Sequence, residues 1–372
     1  MMYKYQHIFL KTVITFLILP IISITVTANQ KEEEVNKIDR NRMAFNSIRF
    51  YDKHNGFAGG SIVIQNGTKS EIKGVLLKTG NGGDTWDSTI LPGVVKSISI
   101  LSAEQVVVLA DDGFIFVSSD SGKNWQGIFT SIPIHTYSRK LSAVGDNVVH
   151  GLLVSFCGPF PNTKYSDFHI VTSDAGYSWK LNKITPQSSA HLYGISFLDN
   201  STGKIVGTTK FNPLIKSKGI MLTTTDGGRT WKQTVFEKPD LHVYLQGIRM
   251  LSKTHIIIIG NVQFQSSRGK GLILQKKGTE PYKWFLYDEL NFQSIDFNNE
   301  KEGILLANNL YVNKSYIFKT ANGGDSWDQI AVPDSPRLGY TDVELVDEKF
   351  IYLVGAQTIL KSDDGGITWN PK

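Results

Sequence analysis

Cysteine is almost absent from this 372-residue chain: Cys157 stands alone, which excludes an internal disulfide and a zinc site of the cysteine type. The eight histidines are scattered without metal-ligand spacing. No Asp-x-Asp-x-Asp-Gly calcium loop occurs, and "DNSTGK" (199–204) lacks both the spacing and the following helix of a phosphate loop. No metal and no cofactor is therefore expected. Charge of one sign is scarce as well: 39 basic residues stand against 34 acidic ones, for a net charge of +5 with no long run of either sign. Such a balance does not point to nucleic acid. Beyond residue 28 there is no apolar run that would anchor the chain in a membrane.

The first 28 residues differ from the rest. Lys4 and Lys11 precede the apolar run "TVITFLILPIISITVTA", and Val26 and Ala28 suit a small-residue cleavage site. The expectation is a cleaved signal peptide over 1–28 and a secreted or periplasmic mature protein. Its net charge falls to +3 once the two lysines are removed.

What the chain has in abundance is strand-forming aromatic residues, with seven Trp, fourteen Tyr and twenty Phe. It also has a repeat. "KTGNGGDTW" (78–86), "SSDSGKNW" (118–125), "TSDAGYSW" (172–179), "TTDGGRTW" (224–231), "TANGGDSW" (320–327) and "SDDGGITW" (362–369) share the form Ser/Thr-x-Asp/Asn-x-Gly-x-x-Trp. Each follows a β-branched or alternating run, so each reads as the turn of a hairpin. In this reading Asn81, Asp120, Asp174, Asp226, Asn322 and Asp364 close the turn by accepting N–H groups two residues on. Gly supplies positive φ, the Ser/Thr hydroxyl ties the loop to a neighbouring strand, and Trp86, Trp125, Trp179, Trp231, Trp327 and Trp369 pack against the next unit.

A second signature precedes the boxes: "NSIRF" (46–50), "KSISI" (96–100), "YGISF" (193–197), "QGIRM" (246–250), "QSIDF" (293–297) and "TDVEL" (341–345), with "KLSAV" (140–144) the poorest match. "QGIRM" has no good box after it, but Trp284 follows Ile248 at the spacing that separates Ile195 from Trp231, and marks a decayed copy. The seven Trp are then 39, 54, 52, 53, 43 and 42 residues apart. Four strands per unit at this period predict an all-β, seven-bladed propeller over 45–372. Residues 29–44 would supply a closing strand, with 36–44 filling the outer position of the seventh blade and removing an exposed edge.

The boxes resemble the Asp-box, or bacterial neuraminidase repeat. The longer pattern resembles the photosystem II assembly/stability factor family of seven-bladed propellers, over about 40–372. That resemblance implies a non-catalytic protein of an extracytoplasmic compartment, acting as a monomer on a protein partner such as an assembling membrane protein. Sialidases share the boxes, so a glycan-binding or glycan-processing propeller with an anionic glycan partner is the alternative. Its chemistry needs three arginines, a Tyr–Glu pair and an Asp. Among the eight arginines, Arg40 and Arg42 fall on the closing segment and Arg229 in a box; Arg49, Arg249 and Arg337 are those that could converge.

Two groups of residues are candidates for function. In the starting strands, Arg49 should neighbour Glu344 across the last and first blades, and Arg249 should neighbour Asp296, forming ion pairs along the channel. The long loops between second and third strands of blades three to five carry Lys164, Lys210, Lys216, Lys218, Arg268 and Lys270, with Phe160, Tyr165, Phe168, Phe211 and Phe264, against Asp167 alone. Such loops predict one basic–aromatic binding face.

Overall fold

The repeated hairpins pair into seven four-stranded antiparallel sheets, which succeed one another around a central channel as the blades of a propeller. The computed structural model describes residues 24–27, 40–66, 68–129, 136–157, 164–187, 190–209, 216–264, 269–309, 311–330, 332 and 339–372. The blades span 43–91, 95–129, 136–184, 190–236, 241–288, 291–330 and 340–371. Among the described residues there is no α-helix, only 3-10 turns at Arg40–Arg42 and Asp111–Gly113.

Packing repeats with the blades. Seven apolar clusters each join two successive blades, and each includes the Trp of the later blade. Trp125 is fully buried against Phe57, and the others are half-buried. Trp284 fills this place in blade five, with its ring 6.5 Å from Phe236 of blade four. The third blade's starting strand is Thr136–Val144, and its register is one residue earlier than the "KLSAV" alignment: Leu141 takes the buried position of Ile48 and Ile98.

The box turns differ in wiring from the expectation. Asp226 Oδ1 accepts the N–H of Thr230, four residues on, at 2.9 Å, and its Oδ2 accepts the Thr230 hydroxyl at 2.6 Å. The Thr224 hydroxyl accepts the N–H of Gly228 at 2.9 Å, so it closes its own turn and does not reach a neighbouring strand. Asn81, Asp120, Asp174, Asn322 and Asp364 accept the same i+4 N–H. Hydrogen bonds from Thr230 and Thr224 hold the Asp226 carboxyl well below the usual range. Both carboxylate oxygens of Asp226 are thus engaged within the turn, the structural role the repeat implies.

Ring closure also departs from the expectation. The outer position of the seventh blade is taken by Asn370–Pro371, paired with Lys361 and Leu360, and not by residues 36–44. Three residues beyond Trp369 suffice, because the Lys372 N–H also bonds to Ile359 O at 2.9 Å. Of the expected clasp, residues 36–39 lie outside the described residues. Residues 43 and 44 begin the inner strand of blade one, and Ala44 bridges Ala356 of blade seven. Ile24–Thr27 adds a fifth strand to blade two, antiparallel to Asn124–Phe129.

Candidate functional site

The inner strands begin on the face where one blade passes to the next, so their first residues ring the channel mouth. All seven carry a β-bulge at the same place: the ladder skips Asn46, Lys96, Arg139, Tyr193, Gln246, Gln293 and Thr341. A bulged residue is left out of the pairing and its side chain is re-aimed. Here all seven line one cavity of about 450 Å³. Lys140 and Arg249 join Lys96 and Arg139 on its wall, and among the described residues no Asp or Glu lines it.

Beneath the mouth, polar side chains tie each blade to the next. Ser47 accepts from Ile98 N, Ser97 from Leu141 N, Ser142 from Phe197 N and Ser196 from Met250 N, at 2.9–3.3 Å. Asp296 accepts from Leu345 N, Asp342 from Ile48 N and Glu344 from Phe50 N. These bonds give an acceptor to at least one N–H on the free edge of six inner strands, and among the described residues none of this kind reaches that of blade six. At that seam Arg249 instead meets Asp296 at 2.6 Å, from side chain to side chain.

Arg49 Nη1 lies 3.2 Å from Glu344 Oε2 and closer still, at 2.8 Å, to Asp342 Oδ2. Asp342 and Lys140, 3.8 Å apart, were not anticipated. Both stand at the position that is Ser or Gly in the other blades, so a charge where the repeat has a small residue was the available signal. Burial lowers Arg49 and raises Asp342, but each overcomes it in the other's favour: Arg49 ends raised and Asp342 below the usual carboxylate range. Glu344 shares this one cation with Asp342 and Asp296, and burial pushes it up to about 8. Burial, with Arg49 and Arg249 nearby, lowers Lys140.

The outer loop face is less basic than its loops alone imply. Lys216 meets Asp240 at 2.7 Å, Lys218 meets Glu237 at 2.5 Å and Lys270 meets Asp288 at 2.6 Å, with the acids supplied by outer strands and the connections between blades. Nor are its aromatics all outward. Phe168 packs into the core between blades two and three, and Phe264 packs against the cluster of blades four and five, beneath Lys270. Tyr165 is exposed, its ring edge-on to His191. The side chain of Lys164, and all of Phe160, Lys210, Phe211, Arg268 and Arg337, lie outside the described residues. Strand pairing continues from Cys157 to Lys164, so the loop in blade three is shorter than its sequence suggests.

A second cavity of about 450 Å³ opens beside the mouth, over blades four to six. It shares Tyr193 and Gln246 with the first and adds Tyr244, Asn261, Leu290 and Tyr311.

No protein-family model matches the chain. It is 23% identical over 306 residues to the chloroplastic photosystem II stability/assembly factor HCF136 of Arabidopsis thaliana, covering 77% of this chain and 69% of that one. Among solved structures it is similar to YCF48 bound to a D1 peptide, with a TM-score of 0.57 and 14% identity over 86% of this chain and 92% of that one. YCF48 from Cyanidioschyzon merolae gives 0.57 and 15%, over 87% and 96%. The chain is a seven-bladed propeller with distant sequence similarity to this stability/assembly factor and the fold of the YCF48 structures.

Proposed function

We propose that this chain is an exported, monomeric, non-catalytic propeller that binds a protein partner across the channel mouth and the adjoining groove, as an assembly factor for a membrane protein. The observation that carries this reading is the pair of continuous cavities on one face, together about the size of a segment of extended chain. The similarity to an assembly factor and to a propeller holding a peptide supports it. The cavity wall favours binding over sialidase-like hydrolysis: it offers Arg139 and Arg249 but, among the described residues, no Glu to activate a Tyr and no Asp to serve as acid/base. The weight of recognition moves inward from the outer lysines, because Lys216, Lys218 and Lys270 are already paired.

Export rests on the leader pattern of 1–28. Cleavage after Ala28 would release the fifth strand of blade two, Ile24–Thr27, along with it. The test is affinity purification from the native host with the wild-type chain and with Tyr244→Ala/Tyr311→Ala. We expect a membrane-protein partner that the double variant loses by about tenfold, of the order a pair of buried aromatic anchors supplies. The same partner recovered equally by both would overturn the placement of the site.

A further inference from the structure

One cation at the channel mouth has no acid partner among the described residues. Lys96 leans on Asp111 at 3.1 Å, Lys140 on Asp342 at 3.8 Å and Arg249 on Asp296 at 2.6 Å. Arg139 meets no carboxylate among the described residues. Its guanidinium sits 4.9 Å from the centre of the Tyr193 ring, and its Nε is buried without a hydrogen-bond partner. A guanidinium has five donors in a planar fork suited to a carboxylate, and burying donors unpaired is unfavourable. The layer below offers no remedy: Asp296 and Asp342 are committed to Arg249, Arg49 and the backbone N–H groups of Leu345 and Ile48. Lys140 is held below its ordinary value by burial and by its cationic neighbours, and an incoming negative charge would relieve that.

The second cavity carries a matching vacancy of opposite kind. Asn261 donates to Asn291 Oδ1 at 2.8 Å, while its own Oδ1 is buried with no donor. A free amide oxygen in a wall that also carries Tyr244, Leu290, Tyr311 and the acidic Glu289 suits the N–H of an extended main chain. One unpaired guanidinium Nε–H and one unpaired acceptor thus lie along a continuous groove joined at Tyr193 and Gln246.

Resting on the protein-binding reading above, we propose that the channel mouth recognises a carboxylate carried by an extended peptide, with Arg139 as its partner and the peptide backbone lying over blades four to six. The carboxylate comes either from an Asp or Glu side chain or from the peptide's own C-terminus, and both present the same two oxygens to the guanidinium.

Two positional-scanning heptapeptide libraries separate these sources: one acetylated and amidated, the other with a free C-terminus. Each is passed over the immobilised full-length protein at low salt. The expected result is about tenfold greater retention of Asp/Glu over Asn/Gln sublibraries in the blocked set, or of free over amidated ends, as a charge-assisted pair would give. Arg139→Gln should bring that ratio to within about twofold and keep the melting temperature within a few degrees of wild type, because the residue gives up one contact with the Tyr193 ring. Enrichment that survives Arg139→Gln overturns the proposal, and so does retention with no preference for a carboxylate. In the latter case the broader protein-binding reading stands, and the pull-down decides it. No retention of any peptide also overturns the carboxylate site.

Discussion

At the seam between blades seven and one, Asp342 and Glu344 accept the N–H groups of Ile48 and Phe50 and hold Arg49 between them. At the seam between blades three and four, Ser142 accepts from Phe197, and two buried histidines are kept neutral behind it. His150 Nδ1 and His169 Nε2 are 2.9 Å apart, and the His150 ring lies 3.4 Å from that of Phe197 and nearly parallel to it. The backbone requirement is the same at both seams: an inner-strand edge facing a channel needs acceptors. A charged acceptor recruits a cation and creates a network. A hydroxyl does not, although rings stack behind both kinds of strap, Phe50 on Tyr352 at the first seam and Phe197 on His150 at the second.

The largest break in this comparison is Asp342→Ala. That carboxylate serves Arg49, Lys140, Ser294 and the N–H of Ile48 at once, and it is almost wholly buried. Removing it leaves the buried Arg49 with Glu344 as its remaining carboxylate and takes away the acid paired with Lys140, so we expect a loss of about 3–5 kcal/mol in urea unfolding. A loss below about 1 kcal/mol would show that the seven–one seam does not depend on its charges.

Acid should separate the seams next. Burial lowers His150 to about 3, with help from His169, and lowers His169 to about 4. Both bind protons near pH 6.5 when unfolded, so the unfolded state takes up more protons below that value, and stability falls as pH falls. Between pH 7 and pH 5 each histidine costs about 2 kcal/mol. The seven–one seam moves the other way: Glu344, raised in the fold, favours the native state most at low pH, and that contribution fades as pH rises toward 8. Replacing His150 and His169 together with Leu, the kind of residue found at Ile257 and Ile115 in equivalent places, should flatten the acid limb of a melting-temperature profile. An unchanged acid limb would mean that other groups govern it.

The seams were unequally legible in the sequence. Trp spacing shows the blade order, and blade order alone sets Arg49 beside Glu344 and Arg249 beside Asp296, because the inner strands are sequential neighbours around a ring. The histidine pair is hidden: His150 and His169 belong to different strands, and only the register of those strands brings the rings together. The bulge ring left a trace that periodicity arguments pass over. Buried residues in a regular strand recur at even intervals, yet Phe45 and Ile48, Val95 and Ile98, Leu192 and Ile195, Leu245 and Ile248, and Phe292 and Ile295 are three apart. An odd interval repeated at every starting strand is the signature of an inserted residue. The first letters of "NSIRF", "KSISI" and "QGIRM" are those insertions. The charge of the loop face was overcounted for a different reason: counting within loops omits Asp240, Glu237 and Asp288, which sequence places outside them and the fold places opposite the lysines.

The smallest test isolates the neutral strap itself. Ser142→Ala removes the acceptor for Phe197 N and nothing charged, while the side chain's small volume keeps packing nearly constant. The expected loss is about 1 kcal/mol, that of one hydrogen bond. Combined with Asp342→Ala it should add without coupling, because neither residue bonds to the other's partners. A coupling beyond about 0.5 kcal/mol would mean that the channel responds as one polar network, with the serine straps and the charged straps sharing the load around the whole ring.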